Sequence, residues 1–129
     1  NQLQLRYTGR HIEFESEVIN DIQIPVDIIT TVVENLLDNA RNKRIREPDL
    51  KISVKLNVMN GKLDLSVTDN GSAIVPQVYE HLFKEVVSSN DGFGIGLYQS
   101  YELAQNHGYE LKVTNNNDGN VRFNIIKAA

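Results

Sequence analysis

The amino-acid sequence predicts an α+β fold, a two-layer α/β sandwich whose mixed, mostly antiparallel sheet carries helices on one face. Apolar residues recur at helical spacing between residues 25 and 47. Two further segments, 50–71 and 109–128, alternate apolar and polar residues on either side of a turn signal, as β-hairpins do. With 129 residues, the chain is long enough for one domain, and residues 1–129 are predicted to form it.

The segment HIEFESEV opens the predicted order of elements. It places Ile12, Phe14 and Val18 on one face of a strand. A helix is expected next, beginning near Pro25 and ending before Pro48. Its apolar positions are Ile28, Ile29, Val32, Val33, Leu36, Leu37 and Ala40, which is a broad buried face.

A hairpin around Asn60 and Gly61 is the clearest local signal, because Asn-Gly favours the two-residue turns that join antiparallel strands. The segment PQVYEHLFKEV predicts a short helical turn. A helix from about Leu97 to His107 follows, with Gly108 as its stop. A second hairpin turns at residues 117–119.

Composition limits the classes of function. Hydrophobic residues make up 40% and charged residues 23%, with a formal charge of −4, which is typical of a soluble globular domain and argues against nucleic acid as a partner. The chain has no cysteine, which excludes disulfides and thiolate metal sites and fits a reducing compartment. No apolar run approaches a membrane span. Because the sequence starts at Asn1, we expect a fragment of a longer protein.

Polar pairs on the predicted first helix are candidate ligands. Asn35 and Asn39 share one face, and Glu34 and Asp38 form a second pair at the same spacing. Carboxamide and carboxylate oxygens beside an apolar stripe can bind a hard cation such as Mg²⁺. The alternative is a solvated helix rim.

Two glycine-containing segments complete the pattern. Asp69 ends a predicted strand and is followed by Asn70 and Gly71. Ordinary turn chemistry explains this, although the carboxylate could also accept a hydrogen bond from an exocyclic amine. Gly92, Gly94 and Gly96 precede a helix, where backbone N–H groups can approach phosphate. A flexible loop is the alternative.

In this order and on these elements, NLLDNA, DNG and GFGIGL resemble the N, G1 and G2 boxes of the GHKL ATPases. That superfamily includes DNA gyrase, the large heat-shock chaperones, the mismatch-repair ATPases and the histidine kinases. The segment VYEHLF resembles the F box of histidine kinases, with Phe83 as its aromatic residue. The chain as a whole is similar to the catalytic ATP-binding domain of a sensor histidine kinase, and the resemblance implies the Bergerat α/β sandwich.

The resemblance also implies roles by position. Asn39 would ligate Mg²⁺, and Asn35 and Glu34 are the catalytic candidates. Asp69 would accept from the adenine amino group, and Gly71 would let the base approach. Residues 84–91 would form a lid over ATP. The other residues implied at the nucleotide site are Ala73, Ile74, Phe83, Gly92, Gly94, Ile95, Gly96, Leu97, Asn42 and Lys43.

Departures from the family pattern keep alternatives open. Ala73 replaces the second G1 glycine, and Asn42 occupies a position where the family often has lysine. Arg41, Lys43 or Arg44 could supply the charge on the phosphate side. Asn35 stands where hydrolases of the family have a glutamate base, which favours phosphoryl transfer over hydrolysis.

The implied function is therefore a protein-histidine kinase catalytic domain that binds Mg·ATP and transfers the γ-phosphate to a histidine of a dimerisation domain outside the fragment. None of His11, His81 and His107 fits an acceptor pattern, so the fragment alone is not expected to phosphorylate itself. A response regulator would be an indirect partner, and no direct membrane contact is expected. The predicted location is cytoplasmic, whether or not a parent chain is membrane-anchored. The alternatives are a degenerate nucleotide-binding or protein-interaction module and an anti-sigma-type serine kinase.

Overall fold

The computed structural model describes residues 12–18, 25–59, 62–84 and 95–128. These residues form a five-stranded sheet in the order β1-β2-β3-β5-β4. The strands are β1 (Ile12–Val18), β2 (Ile52–Met59), β3 (Lys62–Asp69), β4 (Tyr109–Asn117) and β5 (Asn120–Lys127). Strand β1 runs parallel to β2, and the other neighbours are antiparallel. The prediction of a mixed, mostly antiparallel sheet is confirmed.

Helix α1 spans Val26–Arg46, with Pro25 at its N-cap. It ends two residues before Pro48, as expected, since proline cannot continue a helix. Its buried stripe contains Ile29, Val32, Val33, Leu36, Leu37, Ala40 and Lys43. Every residue of the stripe is apolar except the last, and this exception places a cation at the end of a core-facing surface.

Strands β2 and β3 pair from Ile52 with Asp69 to Met59 with Lys62, which is the predicted hairpin. Its turn, residues 60 and 61, lies outside the described residues. Leu63, Leu65, Val67 and Asp69 are the buried positions of β3, because alternate residues of a strand face the same side. This row too is apolar until its final residue.

The remaining helices are α2 (Pro76–Tyr79) and α3 (Ile95–Asn106). The short turn at residue 76 is confirmed, and α3 begins two residues earlier than predicted, so that Gly96 lies in its first turn. After α3, Gly108 has φ +81°, the left-handed conformation in which glycine often follows a helix. Helix α3 packs against α1 and β4, and α1 packs against β3.

Strands β4 and β5 form the second predicted hairpin, and Gly119 at its turn has φ +88°. A bulge shifts the register between Val113 and Asn115. None of the described helices combines the length and apolar character that crossing a membrane requires. The order strand, helix, hairpin, turn, helix, hairpin is the one predicted from the sequence.

Candidate functional site

The two buried stripes of α1 and β3 meet at their polar ends. Lys43 follows Leu36 and Ala40 on the buried face of the helix, at the spacing that keeps residues on one face. Asp69 follows Val67 on the buried face of the strand. Lys43 is 9% exposed and Asp69 is 8% exposed. Packing the helix on the sheet therefore brings a cation and a carboxylate together below the surface.

The Lys43 ammonium and the Asp69 carboxylate form an ion pair. Lys43 Nζ lies 3.0 Å from Asp69 Oδ1 and also donates to the backbone carbonyl of Ser72. The Gly71 N–H donates to the same Asp69 oxygen at 2.9 Å. Two donors thus converge on one carboxylate oxygen, which is how buried charges are normally compensated.

Glu47, which follows α1, holds the next residue of the loop. Its carboxylate accepts from the Ser72 N–H at 2.9 Å and from the Ser72 hydroxyl at 2.8 Å. Partial burial acts to raise the pKa of Glu47, but these two hydrogen bonds and the charges of Lys43 and Arg46 outweigh it, so that the pKa lies below its ordinary value. The ionised form of Glu47 is therefore the one that holds the loop.

The tip of the second hairpin holds the other side of the same loop. Asn116 accepts from the Ile74 N–H at 2.7 Å and donates to the Ile74 carbonyl at 3.1 Å. Asp118 accepts from the Ala73 N–H at 2.9 Å, and the Gly119 N–H donates to the carbonyl of Gly71 at 2.8 Å. The backbone that follows Asp69 is consequently fixed from both directions.

A cavity of about 200 Å³ opens between α1, the loop and the sheet. Its polar lining comes from Asn39, Lys43, Arg46, Asp69 and Ser72. Its apolar walls include Leu36, Ala40, Val67, Ile74, Val121 and Phe123. Apolar walls with a few convergent polar groups are typical of small-molecule sites, and the volume is below the roughly 300–1,000 Å³ of sites that hold a drug-sized ligand. The cavity is therefore closer to the scale of a single ring system.

Asn39, the predicted metal ligand, lines this cavity. Its amide nitrogen is buried and has no hydrogen-bond partner among the described residues. No group of three or more histidine, cysteine or acidic side chains that could hold a metal occurs in residues 25–59, 62–84 and 95–128. Asn39 offers one amide oxygen to the cavity, which fits Mg²⁺, since this ion commonly takes one or two protein oxygens together with phosphates and water.

The other N-box candidates lie elsewhere. Asn35 is not among the described lining residues, and its amide donates to the buried Ser100 hydroxyl of α3 at 2.7 Å. Glu34 is half-buried outside the lining, and Asn42 is exposed. The catalytic roles of Asn35 and Glu34 and the binding role of Asn42 stay predictions. Lys43, one of three cations considered for the phosphate side, has its ammonium on Asp69 instead.

The close packing around Gly71 was not predicted from the sequence. A Cβ on Gly71 would lie 2.4 Å from Leu50 Cδ1 and 2.9 Å from both Glu47 Oε1 and Lys43 Cε. Glycine at position 71 is thus required by packing within the protein, and the approach of a base stays a prediction.

Phe83 stacks on Tyr101, with ring centroids 5.0 Å apart, and contacts Phe123 edge-on, with ring centroids 6.4 Å apart. Phe123 lines the cavity, whereas Phe83 is not among its described lining residues, and the binding role of Phe83 stays a prediction.

Of the remaining predicted residues, some line the cavity, some belong to α3 and some lie outside the described residues. Ala73 and Ile74 line the cavity. Leu97 is buried in α3, and Ile95 and Gly96 belong to the first turn of that helix. Gly92, Gly94 and residues 85–91 of the predicted lid lie outside the described residues. Their roles therefore stay predictions.

Sequence reasoning missed several residues of the site. Ser72, Val75 and Val78 line the cavity but were not singled out, although the first lies within the motif that was recognised. The Lys43–Asp69 contact could have been found, because both residues extend apolar patterns of the correct period. Nothing in the sequence indicated that Asn116 and Asp118 would reach the loop.

Comparison with known proteins decides the family. Residues 25–128 match the family described as histidine kinase-, DNA gyrase B-, and HSP90-like ATPase. The chain belongs to this ATPase family. The match covers α1, the cavity and both hairpins.

Its relatives are histidine protein kinases. Histidine protein kinase SaeS of Staphylococcus aureus (strain USA300) is 27% identical over 126 residues, which cover 89% of this chain and 35% of SaeS. The chain thus spans about a third of the length of this relative. The mycobacterial sensor histidine kinase MprB superimposes with a TM-score of 0.69 at 26% identity, covering 98% of this chain and 86% of that structure.

The catalytic domain of histidine kinase ThkA agrees in fold. It has a TM-score of 0.69 at 23% identity and covers 92% of this chain and 79% of its own. The predicted α+β sandwich and the predicted resemblance to histidine kinase catalytic domains are both confirmed.

Proposed function

We propose that the chain binds Mg·ATP in the cavity between α1 and β3 and, within a longer protein, donates the γ-phosphate to a histidine outside the fragment. On this proposal residues 1–129 are one catalytic domain of a protein-histidine kinase. The observation that carries the proposal is that Asn39 and Asp69, from separate motifs, line one cavity with apolar walls. ATP binding follows from the family, and the phosphoacceptor is inferred from the kinase relatives.

Each lining group has a task in this proposal. The apolar walls of Leu36, Ile74 and Val67 take the flat base out of water, and Asp69 accepts from its edge. Asn39 holds Mg²⁺ through its amide oxygen, and the ion, when bound, neutralises charge on the phosphates. The loop clamped by Glu47 and Asn116 keeps these groups in place, so that binding requires little reordering.

The environment of Asn35 is consistent with transfer rather than hydrolysis. A carboxamide is a poor base, and this one donates to Ser100 of α3. A hydrolase needs a group that activates water, whereas transfer to an imidazole depends mostly on positioning and charge neutralisation. Asn35 thus ties α1 to the helix that the glycine-rich segment precedes.

The partners follow from the relatives. One structure similar to this chain shows histidine kinase ThkA in complex with the response regulator protein TrrA. We infer that this domain serves a phosphoacceptor domain, in the same chain or in trans, and through it a response regulator. The proposed location of the domain is cytoplasmic.

Calorimetry with a non-hydrolysable ATP analogue tests the first step. Binding is expected in the presence of Mg²⁺ and is expected to weaken strongly when the metal is chelated. Absence of heat at millimolar analogue would contradict the proposal.

The second step, phosphoryl transfer, is tested with γ-labelled ATP and the phosphoacceptor domain of the parent protein. Acid-labile label on that domain is expected, and acid-stable label would indicate the serine-kinase alternative.

One observation favours a second candidate, a degenerate nucleotide-binding or protein-interaction module. Lys43 Nζ already contacts Asp69 Oδ1, and Ala73 lines the cavity where the family has glycine. Such a module has lost tight ATP affinity and would give no heat at millimolar analogue, which the same calorimetric experiment detects.

A further inference from the structure

Lys43 places a donor beside the carboxylate that would contact the base. Its ammonium lies 3.0 Å from Asp69 Oδ1, and both side chains line the cavity. We propose that either side chain of this pair can hydrogen-bond to the edge of the base, so that the site accepts 6-oxopurine nucleotides, such as inosine and guanosine triphosphates, as well as ATP. The inference rests on the proposed nucleotide site and extends it to the class of base.

A carboxylate alone distinguishes the two purine classes. Adenine carries an amino donor at position 6 and an acceptor at N1, whereas a 6-oxopurine carries an acceptor at position 6 and a donor at N1. An ionised carboxylate only accepts hydrogen bonds. Facing position 6, it attracts the amino group of adenine and repels the carbonyl oxygen of hypoxanthine or guanine. A site with only this group therefore selects adenine.

A carboxylate next to an ammonium is complementary to both classes. With adenine, Asp69 accepts from the amino group at position 6. With a 6-oxopurine, Lys43 donates to the oxygen at the same position, so that the base keeps its place and only its protein partner changes. An ammonium has three N–H donors, and the described contacts use two of them, to Asp69 Oδ1 and to the Ser72 carbonyl. The third is available to a base.

The ammonium is held in place by its surroundings. Its stem packs against Gly71, since a Cβ there would lie 2.9 Å from Lys43 Cε. The Ser72 carbonyl that accepts from it belongs to a residue clamped by Glu47. Little ordering of the ammonium accompanies binding of either purine class as a result. Lys43 is therefore part of the recognition surface.

Competition between ATP and inosine triphosphate tests the proposal on the unmodified chain. The two differ only at position 6 and in the proton on N1. Dissociation constants within about tenfold of each other are expected, and guanosine triphosphate is expected to compete as well. If ATP binds and inosine triphosphate binds more than about tenfold weaker, the inference is wrong and the proposed function stands. If neither binds, the proposed function itself fails.

A Lys43→Met variant, which keeps an apolar stem, is expected to raise the preference for ATP over inosine triphosphate by at least about tenfold. An unchanged preference would overturn the proposal. Arg46→Met is the matched control, since Arg46 is a second cation of the lining, whereas the described ion pair of Asp69 is with Lys43. It is expected to weaken both nucleotides equally. The comparison on the unmodified chain decides the matter even if Lys43→Met does not fold.

Discussion

Lys43 Nζ and Asp69 Oδ1 lie 3.0 Å apart at the point where the core-facing stripe of α1 meets the core-facing row of β3. Each residue is the one charged member of a pattern that is otherwise apolar. The contact joins the N-box helix to the G1 loop and makes the stability of the fold and the chemistry of the cavity depend on the same two side chains.

Because of this contact, Asp69→Asn is expected to affect folding as well as binding. The substitution leaves the Lys43 ammonium buried without a counter-ion, which costs roughly 3–5 kcal/mol of the free energy of unfolding. Denaturant unfolding followed by circular dichroism measures this loss. A change below about 1 kcal/mol would show that the pair behaves as a solvated surface pair.

The double variant Lys43→Met/Asp69→Asn separates the two effects. Removing both charges should recover most of the stability, since uncharged replacements of a buried pair are often close to neutral. Nucleotide affinity is expected to stay low, because Asp69 is still missing. Recovery of affinity together with stability would mean that Asp69 supports the fold and does not contact the base.

Asn39→Ala is expected to abolish the Mg²⁺-dependent part of nucleotide binding, with little effect on folding. The side chain lines the cavity, and its amide nitrogen forms no hydrogen bond with another described residue that could be lost. Calorimetric titration with and without Mg²⁺ measures the difference. Ile45→Ala is the control, because that side chain is exposed on the same helix and has no predicted role in binding. Metal dependence that survives in Asn39→Ala would refute the assignment.

Glu47 predicts a pH dependence of stability. Its folded pKa is depressed below the ordinary value of 4.5, so its contribution is fully present above that value and is lost as the pH falls through the folded pKa. As the pH is lowered from 7 to 3, the melting temperature should therefore fall less steeply in Glu47→Gln than in the unmodified chain. Parallel curves would show that Glu47 does not titrate with folding.

Asn116→Ala should loosen the loop of the cavity. It removes an acceptor for the Ile74 N–H and a donor to the Ile74 carbonyl, at about 0.5–1.5 kcal/mol for each hydrogen bond. We expect faster amide exchange at Ile74 and weaker nucleotide binding. Asn117→Ala, at an exposed position one residue further on, should change neither. Unaltered amide exchange at Ile74 would show that the hairpin tip does not hold the loop of the cavity.

Much of the fold was predictable because its elements carry strong local patterns. The stripe from Ile29 to Ala40 has a helical period, and the alternation of Leu63, Leu65 and Val67 has the period of a strand. Proline and glycine marked the ends of α1 and α3. The sheet order was not predictable, since pairing of β3 with β5 joins segments that share no local signal.

The candidate site was predictable where single residues carry its chemistry and unpredictable where contacts do. Asn39 and Asp69 were named from their motifs, and both line the cavity. The clamp of Asn116 on Ile74 depends on the tertiary approach of two loops. The placement of Lys43, in contrast, could have been found by continuing the buried stripe of α1 by one turn, although a lysine is rarely buried unless it is paired.

Strand β5 lies between β3 and β4, which affects how a newly made chain gains its activity. The β2–β3 pair can form early on the ribosome, but β3 keeps an open edge until β5 emerges, and an open edge can pair with other chains. The hairpin tip that fastens the loop arrives together with β5. On the proposed function, nucleotide capture is therefore a late event in synthesis, and nascent chains halted before β5 are expected to need chaperones.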